Sequence, residues 1–83
     1  MKKIWAKIIK NNRIVKDCAL ERKSADFYDN LKEVCYTLNI ETPVVLNKHN
    51  NEIEEYNITR FKSGDFIDSI NFDYLQIEYF EVS

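Results

Sequence analysis

Hydrophobic and polar positions alternate from the start of the chain: Ile4, Ala6 and Ile8 on one side, Lys3, Trp5, Lys7 and Ile9 on the other. A period of two is the mark of a strand. Asn11 and Asn12, which tolerate left-handed backbone, then separate Lys3–Lys10 from a second strand-like run, Arg13–Glu21, and together they predict a β-hairpin. After Ala25 the period lengthens. Phe27, Leu31, Val34, Cys35 and Leu38 recur at i, i+4, i+7, i+8 and i+11, which predicts an amphipathic helix. Ser24 or Asp26 suits its cap, Asp26 and Asp29 suit the positive end of its dipole, and Asn39 suits a left-handed stop before Pro43. Beyond it, Pro43–Leu46 reads as a short run inside a sheet and Asn47–Glu52 as an exposed polar loop. Tyr56–Phe61 reads as a strand, Lys62–Asp65 as a turn, Asp65–Asp68 as one helical turn, and Phe72–Val82 as the clearest strand of all.

These elements make residues 1–83 a single α+β domain: an N-terminal β-hairpin, one amphipathic helix, then two or three strands in a mixed sheet. That order resembles the β-grasp, the shape of ubiquitin-like domains, in which one helix lies across a mixed sheet. Ubiquitin-like modifiers and sulfur carriers end in Gly-Gly, whereas this sequence ends Phe80-Glu81-Val82-Ser83, so conjugation and sulfur transfer are not expected. A second resemblance rests on Thr42-Pro43-Val44-Val45-Leu46, Lys48-His49, Asn57, Thr59-Arg60-Phe61, Asp65-Phe66 and Phe72-Asp73-Tyr74-Leu75. In this C-terminal half the chain is similar to a small uncharacterised family of low-GC Gram-positive bacteria, often encoded in or near conjugative elements. The resemblance implies a mobile-element setting and brings no activity with it.

Composition sharpens the picture by exclusion. With 45% hydrophobic residues against 31% charged ones, the chain has the apolar area for a core and is not expected to be disordered. A single glycine, Gly64, cannot build a phosphate-cradling loop or a nucleophile elbow. Lys7 and Lys10 interrupt the apolar start, so a signal peptide is not expected; no run is long enough for a membrane span, and the expected location is the cytoplasm. There Cys18 and Cys35 are expected to be free thiols. Charge is divided unevenly. Residues 1–23 carry eight Lys/Arg against two acids, a net of +6, while residues 24–83 carry four against twelve, a net of −8. Neighbouring strands of opposite charge in one sheet account for this division.

Catalytic and metal chemistry find little support. His49 lies in a polar stretch without an acid or nucleophile at a telling spacing, and reads as a solvated loop residue. Cys35 falls on the apolar helix stripe, away from any activating base. Glu52, Glu54 and Glu55, or Asp65, Asp68 and Asp73, do not follow a calcium-loop pattern, so neither a metal nor another cofactor is expected, and no small-molecule substrate. If Ile4, Ala6, Ile8, Leu75, Ile77 and Tyr79 face inward, the outer sheet face offers Trp5, Ile9, Tyr74 and Phe80 as partner-binding anchors, with Val82 beside them. A register shifted by one residue, as a bulge would give, puts Trp5 in the core instead, and alternation does not choose between the two. The expected function is therefore a non-catalytic protein–protein interaction module, with an unknown partner protein or a second copy as its ligand. The alternative is a nucleic-acid-associated accessory factor that places Lys3, Lys7, Lys10, Arg13 and Lys16 on phosphates. Lys48, His49, Arg60 and Lys62 are the positive groups left in the acidic portion; scattered solvated charges are the favoured reading, with an anion-binding spot as the alternative.

Overall fold

The computed structural model describes residues 1–83. Four strands and two helices run in the order β1 (Lys2–Lys10), β2 (Arg13–Glu21), α1 (Phe27–Leu38), α2 (Asn47–Tyr56), β3 (Ile58–Lys62) and β4 (Tyr74–Glu81). A single 3-10 turn, Ser63–Asp65, follows β3. The hairpin turn is built as its sequence requires: Asn11 and Asn12 both take positive φ, at 53° and 62°. The Asn11 N–H donates to the Asp73 carboxylate at 2.8 Å, tying the turn to the entrance of β4.

The strands form one sheet of order β2-β1-β4-β3, antiparallel at every pairing. The expected mixed sheet is thus corrected, although the first and last strands are neighbours and the α+β class holds. The cause lies in residues 47–56, where the polar stretch expected to be a loop is the helix α2. Two helical segments rather than one separate β2 from β3, and β3 returns in the direction of β1, so the hairpin to β4 runs opposite to both. Pro43–Leu46, expected inside the sheet, forms no strand; the Val44 N–H instead donates to the Asp65 C=O at 2.8 Å. The helical turn expected at Asp65–Asp68 lies earlier, at Ser63–Asp65. The chain after it is held by Glu41, which accepts from the Ile67 and Asp68 N–H groups at 3.1 and 3.3 Å.

α1 begins and ends close to its sequence signals. The apolar stripe Phe27, Leu31, Val34, Cys35 and Leu38 is buried throughout, and Asn39 stops the helix in the left-handed region at φ 58°. Asp26 occupies the N-cap without a side-chain bond; Ser24 instead accepts the Asp26 N–H at 3.0 Å. One buried polar residue, Asn30, is outside the stripe's logic. Its amide donates to the Ser24 C=O and the Tyr79 hydroxyl and accepts the Ser24 N–H, so it is satisfied where an unpaired amide would be costly.

The helices cover one face of the sheet. Ile4, Ala6, Ile8, Leu75, Ile77 and Phe61 meet the α1 stripe and Ile53 of α2 in a single core. Phe61 lies at its centre, fully buried, with the Phe27 ring at 6.3 Å and the His49 ring at 4.1 Å. Leu31 is equally enclosed, and Leu31→Ala should destabilise the fold by about 2–5 kcal/mol through lost burial and a residual cavity. Tyr36→Ala on the opposite face of α1, where the side chain is 88% exposed, should stay within about 0.5 kcal/mol. Denaturant midpoints of the two variants check this difference.

Candidate functional site

The other face of the sheet carries no helix. Strand pairing places Trp5 opposite Glu78, Lys7 opposite Gln76, Ile9 opposite Tyr74 and Lys3 opposite Phe80. All four expected anchors therefore share this outer face, with Trp5 and Phe80 as diagonal neighbours. They do not form one apolar patch. Lys7 lies between Trp5 and Ile9, with its ammonium 3.9 Å from the Trp5 ring centroid and in an ion pair with Glu78. The Trp5 indole N–H donates to Asp17 at 2.9 Å, so the ring is held in one orientation by β2 and by Lys7. Trp5, Tyr74 and Phe80 are half-buried. Ile9 departs from the expectation of an exposed anchor, being only 9% exposed. A bulge at Val15 brings Ile14 directly opposite Ile9 on one side, with Tyr74 opposite on the other, and these neighbours shield it. Val82 lies past the end of β4, 46% exposed.

The five cations expected on phosphates do not converge. Lys3 and Lys7 belong to the outer face, and Lys7 is already paired; Lys10 and Arg13 flank the hairpin turn. Lys16 points to the helix side and donates to the Leu38 C=O at 2.7 Å, where a cation complements the negative end of α1. Opposite charges do meet across strands, at Lys2–Glu81, Lys3–Glu21 and Lys7–Asp17.

His49 overturns its expectation as a solvated loop side chain. It is fully buried at the first turn of α2, stacked on Phe61. Its Nδ1 accepts the Leu46 N–H at 2.9 Å, the reach-back that Glu or Gln makes in a capping box. An accepting Nδ1 puts the proton of the neutral ring on Nε2, which faces Asp65 Oδ2 at 3.5 Å. Burial pushes the His49 pKa down, and the nearby Asp65 carboxylate only partly opposes it. The sequence signal for this helix was weak because only His49 and Ile53 are buried, one turn apart, and Leu46 has no oxygen with which to cap. Read as an i, i+4 pair, those two residues were the available clue.

The remaining candidates have structural occupations. Asp65 accepts the Lys62 N–H at 2.9 Å, Asp73 accepts from Asn11, and Glu52 accepts the Thr59 hydroxyl at 2.6 Å. No three His, Cys, Asp or Glu side chains are grouped so as to hold a metal ion. Burial pushes the Cys35 thiol up to about 12 and raises that of Cys18 as well, with Asp17 adding to the latter, so both remain protonated at neutral pH. Of the positive groups in the acidic portion, His49 belongs to the core, while Lys48, Arg60 and Lys62 line a cavity between α2 and β3. No helix is long and apolar enough to cross a membrane. Compared with known proteins, the chain matches no family, no curated protein and no solved structure.

Because folding lowers the His49 pKa below its ordinary value of 6.5, the unfolded chain binds more protons between the two values. Its contribution to stability is therefore complete above pH 6.5 and is lost as pH falls from there through the folded value. The unfolding free energy from urea titrations should decline as pH falls across that window, with a slope of at most about 1.4 kcal/mol per pH unit from this one group. His49→Gln, which keeps an acceptor for Leu46, should be less stable overall and should lose that slope. Equal slopes in the two proteins would show that His49 does not carry the pH dependence.

Proposed function

We propose that this protein is a non-catalytic protein–protein interaction module that works through the open face of its sheet. The observation that carries the reading is the immobilised Trp5. An indole fixed by Asp17 on one side and by the Lys7 ammonium over its ring, with Phe80 diagonal to it, offers a partner a large surface already in place. The partner is a protein of opposite polarity pattern, or a second copy, that covers Trp5 and Phe80 and meets the Lys7–Glu78 pair at the rim. An accessory role in a mobile element suits such a protein, since contact alone suffices for it. The dispersal of Lys3, Lys7, Lys10, Arg13 and Lys16 over two faces and a turn gives the nucleic-acid alternative no comparable support.

Trp5→Thr and Phe80→Thr test the reading, because threonine suits a strand and adds no charge beside Asp17 and Glu78. Both variants should fold, at a cost of about 1–2 kcal/mol. Affinity capture from the host's own lysate should recover a protein, or tagged copies of this one, that survives high salt with the original sequence and is lost with either variant. Recovery that is unchanged by both substitutions, or that consists of nucleic acid released by salt, contradicts it.

A further inference from the structure

A second surface lies at the β3 edge, adjoining the open face where Arg60 covers Tyr74 but away from Trp5. Residues 24–83 carry twelve acids and only four Lys/Arg, yet Lys48, Arg60 and Lys62, three of the four, line one cavity of about 360 Å³. No side-chain nitrogen of the three lies within 4 Å of a carboxylate; the ion pairs that Lys and Arg make in the structure are Lys7–Glu78 and Lys32–Asp29. The one acid on the cavity wall, Glu52, is engaged by the Thr59 hydroxyl. Arg60 extends over the open face of the sheet, where its Nε donates to Gln76 at 2.8 Å and its guanidinium lies 5.0 Å from the Tyr74 ring centroid, which leaves its terminal nitrogens free to donate. Unpaired cations gathered in an otherwise acidic region mark a place for a negatively charged ligand.

The backbone narrows the class of ligand. The Tyr79 N–H donates to the Asn57 C=O, and hydrogen-bonded pairs alternate along an antiparallel ladder, so the next bonded pairs are Thr59 with Ile77 and Phe61 with Leu75. Ile58 and Arg60 therefore turn their N–H and C=O groups away from β4, toward the cavity they line. No partner strand occupies that side, since β3 is the last strand of the sheet. A simple anion would use the cations alone. A row of open donors and acceptors at strand spacing beside those cations suits an extended chain. A second copy of β3 is disfavoured there, because antiparallel pairing of two copies centred on Arg60 or Phe61 would bring Arg60 against the other copy's Arg60 or Lys62. The other free edge, β2, is bent by its bulge and carries Asp17 and Glu21.

We propose that the edge of β3, with the flanking face of α2, binds an extended acidic peptide segment as a fifth strand. Its backbone pairs with Ile58 and Arg60, and its carboxylates meet Lys48, Arg60 and Lys62. Tyr56, 67% exposed on the same face of α2, covers the inserted chain.

The probe is a capped peptide of about eight residues alternating Thr and Glu, titrated into the isotope-labelled protein, with the same peptide carrying Lys for Glu as control. The Thr/Glu peptide should shift the β3 and α2 resonances, slow hydrogen exchange of the Ile58 and Arg60 amides, and bind more weakly as salt rises. Lys48→Glu with Lys62→Glu should weaken it at least about tenfold. Arg60→Ala should weaken it severalfold and Arg60→Pro, which also removes the outward N–H, should abolish it; spectra of each variant alone verify the fold. Trp5→Thr should leave it unchanged, which separates this site from the sheet face. Absence of binding at about 1 mM peptide, equal binding of the Lys peptide, or unaltered exchange at Ile58 and Arg60 overturns the proposal. Equal losses in Arg60→Ala and Arg60→Pro, or full displacement by equimolar inorganic phosphate, overturn it as well and mark a plain anion site instead.

Discussion

The pairing of β1 with β4 is the contact on which the rest of the molecule depends. Eight consecutive residues, Lys2 to Ile9, face Glu81 to Tyr74, joining segments near the two ends of the described chain. Its register decides both faces at once. Ile4, Ala6 and Ile8 lie opposite Tyr79, Ile77 and Leu75 and become the floor of the core, while Trp5, Lys7, Glu78 and Phe80 are turned outward. A slip of one residue would exchange the two sets and bury charge, so the hydrophobic pattern itself enforces the register. β2 and β3 then attach as edges to this central pair, and the helices close over one side. Closing so long a loop costs entropy, which the burial on one face of the pair offsets.

The α2 segment shows how a polar stretch is made structural by one buried ring. Nothing in Asn47–Tyr56 offers a broad apolar stripe, and only His49 and Ile53 reach the core. His49 bonds the Leu46 backbone with one nitrogen, turns the other toward Asp65, and lays its ring against Phe61. It thereby joins the helix start, the turn after β3 and the central aromatic in one contact. Kept neutral by burial, the ring does the work of a core residue and a cap together. The same helix presents Lys48, Glu52 and Tyr56 along the β3 edge, so the geometry of that edge is inherited from where His49 is seated.

Elements with a clean period were legible in the sequence. The last strand and the α1 stripe follow burial, while the hairpin turn at Asn11-Asn12 and the helix stop at Asn39 follow from the tolerance of asparagine for left-handed backbone. Strand direction was not legible, because it depends on how many times the chain crosses before β3, and that count turned on the unrecognised α2. Alternation left two faces open to Trp5, outward or into the core, and only the β1–β4 register sets it outward. The burial of Ile9 was not legible either, since it needs the bulge at Val15 and the opposing Tyr74, and neither leaves a local mark. Lys48, Arg60 and Lys62 could be picked out as the scarce cations of an acidic region, but only the packing of α2 beside β3 brings them together.

Both surfaces have the same origin: a four-stranded antiparallel sheet covered on one side leaves an open face and two free edges. Both require that β4 lie between β1 and β3 with the far side of β3 unpaired. Amide hydrogen exchange of the free protein, read residue by residue, tests that arrangement most directly. Thr59, Phe61 and Ile77 should exchange slowly, while Ile58 and Arg60, one residue away in the same strand, should exchange nearly as fast as in an unstructured chain. Equal protection of all of these amides would show that the edge is already covered. Equal lack of protection would show that β3 is not a strand of this sheet.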